Sequence, residues 1–280
     1  MAETGLPLLI ERGGSIDWIV LNRPDQANAL SARLLDAFSG ALAELAEEGA
    51  PVIGIRGSGK GFSAGVDLSE YNASATPMQD VARLRRNVDR WLEIWRHPKP
   101  VIVAIHGYCL GIAAQLPNFA DITVVSHDAR IGEPAIPLGG GFIAPAWVSQ
   151  VGAKRAKELA FLPGNTVTGT QAAQWGWANA AVSAEGLVPC VEALAERMAR
   201  VPGPVLTMKK QSINRAMEAQ GFLASVNAIA ESDAILHLEP DVLALRQDIA
   251  RRGLKPVLED FAGPRSQDIF EQFDGKNTNG

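Results

Sequence analysis

The chain has 280 residues, 47% of them hydrophobic and 20% charged, which is typical of a soluble globular protein with one large domain or a domain and an appendage. The formal net charge of −5 offers no basic surplus for nucleic acid or an anionic membrane, and no apolar run reaches the roughly 20 residues of a membrane-spanning helix. Cys109 and Cys190 form no CxxC pair and the N-terminus lacks a signal-peptide pattern, so we expect a cytoplasmic protein without a zinc cluster or a disulfide framework.

Short apolar runs bounded by glycine, proline or asparagine predict the strands. They cover residues 8–10, 16–21, 52–55, 101–105 and 122–125. Apolar residues at helical spacing predict the helices, the first of which is capped by Ser31. The helices cover residues 32–48, 79–95, 112–119, 144–151, 153–161, 187–200, 205–219, 222–236 and 242–251. Because strands and helices alternate at first and only helices follow residue 186, the pattern predicts an α/β core with a helical appendage.

The strand over residues 52–55 leads into a loop with four glycines between residues 57 and 65. Glycine lets the backbone approach a ligand closely, so a strand that ends in such a loop is a candidate binding edge. Three interpretations fit this loop: a phosphate-binding loop, the nucleophile turn of a serine hydrolase, and one half of an oxyanion hole.

Two of these interpretations lack their confirming context. Residues 54–61 match GxxxxGK, but Gly61 stands where a Mg²⁺-binding Ser or Thr is needed, and no convincing helix follows. Residues 61–65 match G-x-S-x-G, but the preceding strand ends several residues before Ser63 instead of directly at it. A serine esterase that uses Ser63 is therefore the least favoured alternative.

The third interpretation combines two loops. Negative charge develops on the carbonyl oxygen of a reacting thioester, and two backbone N–H groups can stabilise it, helped by a helix N-terminus. One N–H group would come from the turn 64–66, and the other from Gly111-Ile112, where a strand again passes through glycine into a helix start. Neither loop is specific by itself, but two such turns in succession favour this interpretation.

Several segments together resemble the crotonase, or enoyl-CoA hydratase/isomerase, superfamily. They follow the family's order and spacing from about residue 10 to about residue 215. The segments are N-R-P at 22–24, N-A-L at 28–30, F-S-A-G-V-D-L at 62–68, K-P-V-I-V-A-I-H-G-Y-C-L-G at 99–111, A-D-I at 120–122, and T-G at 168–169 with Ala172, Gly176 and Asn179 following.

This resemblance implies a spiral of ββα units over residues 1–200 and a helical oligomerisation segment over residues 201–280, assembled as a homotrimer or hexamer. It implies an acyl-CoA thioester of fatty acid metabolism as substrate, with no metal and no cofactor beyond the coenzyme A of the substrate. The implied oxyanion-hole donors are the backbone N–H groups of Val66 and Ile112. The implied contacts with the adenine end of coenzyme A come from Ala27, Ala64, Asp67 and Leu68.

The two glutamates that hydratases of this family use are missing. In the family they hold a water molecule between them, and one delivers a proton. Gln115 and Ala135 stand at their positions. Glutamine can form hydrogen bonds but cannot exchange protons near neutral pH, and alanine can do neither. Glu133 is the nearest carboxylate in the sequence, and we interpret it as an exposed or structural loop acid or, alternatively, as a displaced base.

The sequence therefore predicts a family enzyme, of the lyase or isomerase type, that binds an acyl-CoA and stabilises its enolate without ordinary hydration. The alternative is a non-catalytic acyl-CoA binder or an inactive subunit of a mixed assembly. The helix that ends at residue 95 is expected to line the acyl tunnel, but no motif identifies the acyl group.

Overall fold

The computed structural model describes residues 5–70, 75–133, 136–139 and 144–274. Its strands are β1 Leu8–Glu11, β2 Ile16–Leu21, β3 Val52–Gly57, β4 Val101–Ile105, β5 Tyr108–Leu110, β6 Ile122–Ser126, β7 Arg130–Gly132, β8 Thr166–Thr168 and β9 Ala180–Val182. Its α-helices are α1 Ala32–Glu47, α2 Pro77–Arg96, α3 Ala144–Phe161, α4 Gly169–Gln174, α5 Leu187–Met198, α6 Gly203–Ala219, α7 Phe222–Asn227, α8 Ile229–Leu236, α9 Pro240–Arg252, α10 Leu254–Asp260 and α11 Ser266–Phe273. Short 3₁₀ helices cover Pro24–Gln26, Leu68–Glu70, Gly111–Ala114 and Leu116–Phe119.

The strands form two sheets. The larger sheet has six strands in the order β1-β2-β3-β4-β6-β9, and its pairs are parallel except for the antiparallel pair β1-β2. The smaller sheet has the order β5-β7-β8, with β5 parallel and β8 antiparallel to β7. Parallel neighbours need crossover connections, which here contain helices such as α1 and α2. The predicted α/β core followed by helices is confirmed.

Both faces of the larger sheet are buried. Trp18 and Ile102 pack on one face in a cluster that includes α5, whereas Ile19 and Val103 belong to the main core with α1 and α2. Strands that are buried on both faces have continuous apolar sequences, and every residue of β4 is buried. The prediction of a buried strand over residues 101–105 is confirmed.

Two helix predictions are confirmed, one by its N-cap and one by the glycine between its two parts. The hydroxyl oxygen of Ser31 accepts a hydrogen bond from the Leu34 N–H over 3.2 Å and caps α1. The two helices that were predicted over residues 144–161 are the two parts of α3, which Gly152 interrupts with a φ of +76°.

Two predicted helices differ from the structure. The helix expected over residues 112–119 consists of two 3₁₀ turns, because Pro117 has no N–H group, while the Asn118 side chain donates to the carbonyl groups of Ala114 and Gln115. The helix expected over residues 222–236 is divided into α7 and α8. Just before the break, the Asn227 side chain competes for the carbonyl group of Leu223.

The helices after residue 200 pack against the rest of the chain. Phe222 of α7 lies in the main core, where its ring stacks on Trp95 of α2 with 4.6 Å between the centroids. The sequence pattern missed α10, α11 and the three-residue strands, which are too short to show a period. In the described part of the chain, every helix is too short or too polar to cross a membrane.

Candidate active site

The loop after β3 carries the first predicted N–H donor. Ser63 pairs with β5, since its N–H donates to the Tyr108 carbonyl over 3.1 Å and its carbonyl accepts from the Leu110 N–H over 3.0 Å. Gly65 then adopts a φ of +98°, and a Cβ atom there would lie 2.8 Å from the Leu110 carbonyl oxygen. This close approach requires glycine. The next N–H group, that of Val66, has no hydrogen-bond acceptor among the described residues.

The second loop lies directly against the first. A Cβ atom on Gly65 would be 3.6 Å from the backbone nitrogen of Ile112. Ile112 is the second residue of the 3₁₀ helix Gly111–Ala114, so its N–H precedes the first main-chain hydrogen bond of that helix. The structure thus brings Val66 and Ile112 to adjoining loops with their N–H groups unused, which is compatible with oxyanion binding. Their catalytic role stays a prediction.

The Ser63 hydroxyl group is committed to structural hydrogen bonds. The residue is fully buried, and its oxygen donates to the Asn28 carbonyl over 2.7 Å and accepts from the Gly65 N–H over 3.1 Å. Each of the four histidines of the chain bonds to another group. A serine nucleophile needs an adjacent base, so the geometry gives the esterase alternative no support.

Asp67 stabilises the first loop as an ionised carboxylate. It forms an ion pair with Arg23 at 2.9 Å and accepts hydrogen bonds from the N–H and hydroxyl groups of Ser69 at 3.1 and 2.6 Å. Burial opposes ionisation, but the bonds from Ser69 and Arg23 outweigh it and lower the pKa of Asp67. This carboxylate is therefore suited to holding the loop and unsuited to donating a proton at neutral pH.

The residues predicted to contact coenzyme A lie beside this loop. Ala64 donates its N–H to the Ala27 carbonyl over 3.0 Å, and Ala27 adopts a left-handed conformation with a φ of +52°. Ala64 is exposed, as is Leu68 at the start of the next 3₁₀ helix. They form an accessible edge next to Val66, and their contact with coenzyme A stays a prediction.

Gln115 is buried in the wall of the second loop, with 2% of its surface exposed. Its backbone N–H donates to the Ile112 carbonyl over 3.2 Å, which places it one turn after the predicted N–H donor. Its side-chain oxygen Oε1 accepts a hydrogen bond from Trp91 Nε1 over 3.2 Å, whereas its Nε2 has no partner in the described part of the chain. Ala135, at the position of the family's second glutamate, lies outside the described residues.

Glu133 follows β7, and the strand register brings it to the second loop. Gly132 pairs with Leu110, so the next residues, Glu133 and Gly111, lie at the same edge of the smaller sheet. The Glu133 N–H donates to the Asn165 carbonyl over 3.1 Å. The backbone is close-packed here, because a Cβ atom on Gly132 would lie 2.3 Å from that same carbonyl oxygen.

The Glu133 side chain is half-buried, so it is not the fully exposed loop acid, while its roles as a structural acid or a displaced base stay predictions. Its carboxyl group has no ion pair or hydrogen bond among the described residues. Burial without a compensating charge raises the pKa of Glu133 to about 7. The sequence identified this residue as a candidate, but its environment depends on how β5, β7 and the segment before β8 come together.

Sequence reasoning missed a histidine between two aspartates. His237 Nδ1 lies 2.6 Å from Asp80 Oδ2, and its Nε2 lies 3.6 Å from Asp233 Oδ2. A Cβ atom on Gly139 would lie 3.3 Å from the same Nε2, so the segment 136–139 covers this cluster. Burial opposes ionisation of Asp80, but hydrogen bonds from His237 and Arg83 lower its pKa. No local pattern could have indicated a pair so distant in the chain.

Comparisons with known proteins agree with this architecture. The family model Enoyl-CoA hydratase/isomerase matches residues 11–231. A solved structure from Novosphingobium aromaticivorans DSM 12444, provisionally assigned as an enoyl-CoA hydratase/isomerase, is 59% identical, with a TM-score of 0.94 over 96% of this chain and 100% of that one. An enoyl-CoA hydratase/isomerase structure from Xanthobacter autotrophicus Py2 is 30% identical, with a TM-score of 0.86 over 91% of this chain and 97% of that one.

A curated relative supports the same assignment from sequence. The short-chain-enoyl-CoA hydratase of Clostridium acetobutylicum is 30% identical over 218 residues, which cover 75% of this chain and 82% of that protein. The family match spans both candidate N–H loops, Gln115 and Glu133. The chain therefore belongs to the enoyl-CoA hydratase/isomerase family, within the crotonase superfamily.

Proposed function

We propose that this protein binds an acyl-CoA thioester and forms an enolate at the acyl Cα, with Glu133 as the proton carrier. The observation that carries this proposal is the half-buried carboxyl group, which no described residue pairs with, at the sheet edge that leads into the second loop. Its pKa is raised to about 7, so it can both accept and return a proton at neutral pH.

In the proposed reaction, the thioester oxygen accepts hydrogen bonds from the Val66 and Ile112 N–H groups. The Glu133 carboxylate removes a proton from Cα, and the C–H electron pair moves toward the carbonyl oxygen as the enolate forms. Glu133 then returns the proton to the acyl chain. The step balances with these protein groups alone, so we propose no metal and no cofactor other than the coenzyme A of the substrate.

Ordinary hydration should be absent or very slow. Gln115 cannot exchange a proton with water near neutral pH, and alanine at position 135 offers no hydrogen-bonding group. Turnover of crotonyl-CoA at a normal hydratase rate would contradict this part of the proposal. The double variant Gln115→Glu/Ala135→Glu restores both carboxyl groups, and we expect it to gain measurable hydration of crotonyl-CoA.

The central test is hydrogen exchange at the acyl Cα. Butyryl-CoA incubated with the protein in D₂O should gain deuterium at Cα, measured by mass spectrometry. Because the ionised carboxylate is the base, the exchange rate should rise with pH and level off above about pH 7. Glu133→Gln should lose the exchange, while Glu192→Gln, a change on the exposed face of α5, should keep it.

Two results would overturn the proposal. Undiminished exchange in Glu133→Gln would show that another group moves the proton. Binding of butyryl-CoA by the unaltered protein without any exchange would favour the alternative of a non-catalytic acyl-CoA binder. Urea unfolding of each variant controls for loss of the fold.

We also propose that the protein is a homotrimer or a pair of trimers. Val205, Met208 and Ile213 of α6 are exposed apolar side chains, which is typical of surfaces that a second subunit covers. Analytical ultracentrifugation measures the mass directly, and a monomer at micromolar concentration would contradict this proposal. The cytoplasm remains the proposed location.

A further inference from the structure

The side-chain amide of Gln115 has one end bonded and one end free. Trp91 Nε1 can only donate a hydrogen bond, so the amide end that faces it at 3.2 Å must be the oxygen. The nitrogen Nε2 therefore points elsewhere, and among the residues that the structure describes it has no hydrogen-bond partner. Both residues are almost fully buried, at 2% and 1% exposure, so bulk water does not satisfy this donor.

An unpaired buried amide donor is costly. Leaving such a group without an acceptor costs about 1–3 kcal/mol, and native proteins do so rarely. The Gln115 backbone is bonded to Ile112, one turn away, and Glu133 lies at the adjoining sheet edge. The free N–H group thus belongs to the wall of the proposed active site, where a ligand can supply the missing acceptor.

We propose that Gln115 Nε2 binds an oxygen at the acyl Cβ, so that the preferred substrate is a 3-oxoacyl-CoA. This inference rests on the proposed function, which places the thioester oxygen at Ile112 N–H and the acyl Cα near Glu133. The next acyl atom after Cα is Cβ. A neutral amide N–H is matched by a neutral acceptor such as a carbonyl oxygen.

The absence of the family's two glutamates is compatible with the same substrate class. A second carbonyl group at Cβ makes the Cα proton more acidic, so a single carboxylate is a sufficient base. The enolate charge then spreads over two oxygens, one at the Val66 and Ile112 N–H groups and the other at Gln115 Nε2. A glutamate at position 115 would oppose this charge, whereas a glutamine stabilises it.

The test compares the binding of acetoacetyl-CoA and butyryl-CoA, which differ only at Cβ, by isothermal titration calorimetry. The unaltered protein should bind acetoacetyl-CoA about 5- to 150-fold more tightly, since one satisfied buried donor contributes about 1–3 kcal/mol. Gln115→Leu and Gln115→Glu, which lack the N–H group, should lose this preference. Gln220→Leu, an exposed change at the end of α6, should retain it.

Equal affinities in the unaltered protein would overturn the inference and assign the free N–H to a trapped water molecule. An undiminished preference in both Gln115 variants would overturn it as well, and 3-hydroxybutyryl-CoA bound as tightly as acetoacetyl-CoA would rule out a carbonyl-specific role. Cα exchange with butyryl-CoA in the absence of any Cβ preference would leave the proposed function intact. Failure to bind either thioester would refute both.

Discussion

Replacing Ser266 by alanine should lower the free energy of unfolding, because this residue joins α11 to Asn165 and Glu158, about 100 positions earlier in the chain. Ser266 is the first residue of α11 and is 2% exposed. Its hydroxyl group accepts a hydrogen bond from Asn165 Nδ2 over 3.1 Å and donates one to Glu158 Oε1 over 2.8 Å. The alanine variant loses both bonds and leaves the amide and the carboxylate each one partner short.

The magnitude follows from these two bonds. A neutral hydrogen bond contributes about 1 kcal/mol and one to a charged acceptor about 1.5–3 kcal/mol, so the two together contribute roughly 2.5–4 kcal/mol. Glu158 keeps its ion pair with Arg155 at 2.7 Å, and the Ser266 N–H still donates to Asn165 Oδ1 over 3.0 Å. These remaining contacts place the expected loss toward the lower end of that range.

Urea unfolding measures the change, with Ser225→Ala as the matched control. Ser225 is exposed, and within the described ranges its hydroxyl bonds only to the Gly221 carbonyl one turn earlier, so its removal should change the free energy of unfolding by less than about 0.5 kcal/mol. If Ser266→Ala is as mild as this control, the hydroxyl does not hold α11 in place. Because the Asn165 carbonyl also binds the Glu133 N–H, we expect Ser266→Ala to slow Cα exchange as well.

Three further predictions concern the Glu133 carboxyl group, Gly65 in the first loop, and the two cysteine thiols. Burial raises the pKa of the Glu133 carboxyl group to about 7, so the folded protein keeps a proton that the unfolded chain loses above the ordinary pKa of about 4.5. The free energy of unfolding should therefore fall as the pH rises between these two values, by about 3 kcal/mol, and then level off. Urea titrations across this pH range should show the fall in the unaltered protein and not in Glu133→Gln. Gly65→Ala should abolish exchange and cost roughly 1–3 kcal/mol of stability, whereas Gly40→Ala, in open space on α1, should be harmless to both. Burial raises the pKa of the Cys109 thiol, so mass spectrometry after treatment with a thiol reagent should find the native protein labelled at Cys190 alone.

The sequence predicted the elements whose signals are local. Ser31 caps α1 as expected, and the apolar run at residues 101–105 is buried on both faces. The prediction of an α-helix after Gly111 was wrong, because the segment forms two 3₁₀ turns. Pro117 has no N–H group, and the Asn118 side chain competes for main-chain carbonyl groups. Strands of three residues were missed because they form only when partners distant in the chain supply their hydrogen bonds.

The candidate site likewise has parts with a local sequence signal and parts that depend on distant contacts. The loops with Val66 and Ile112 could be identified because each has its own glycine turn. The environment of Glu133 could not, because its burial depends on β5, on β7 and on Asn165, which a further hydrogen bond ties to α11. Similarly, the contact between His237 and Asp80 joins α8 to α2 across 157 positions, and no periodicity reports such a contact.

The loss of the family's two glutamates at positions 115 and 135 is compatible with the proposed role of Glu133 as the base. A second carboxylate near Glu133 would repel its ionised form and raise its pKa further above neutrality, which would weaken it as a base at physiological pH. Gln115 has nearly the same shape as glutamate without the charge, and its Nε2, which has no acceptor among the described residues, can donate a hydrogen bond to an oxygen of a bound substrate. On this argument, Glu133 moves the proton while Gln115 binds the oxygen that makes a single acid sufficient. Restoring a glutamate at position 115 alone should therefore raise the pH at which Cα exchange reaches half of its maximum.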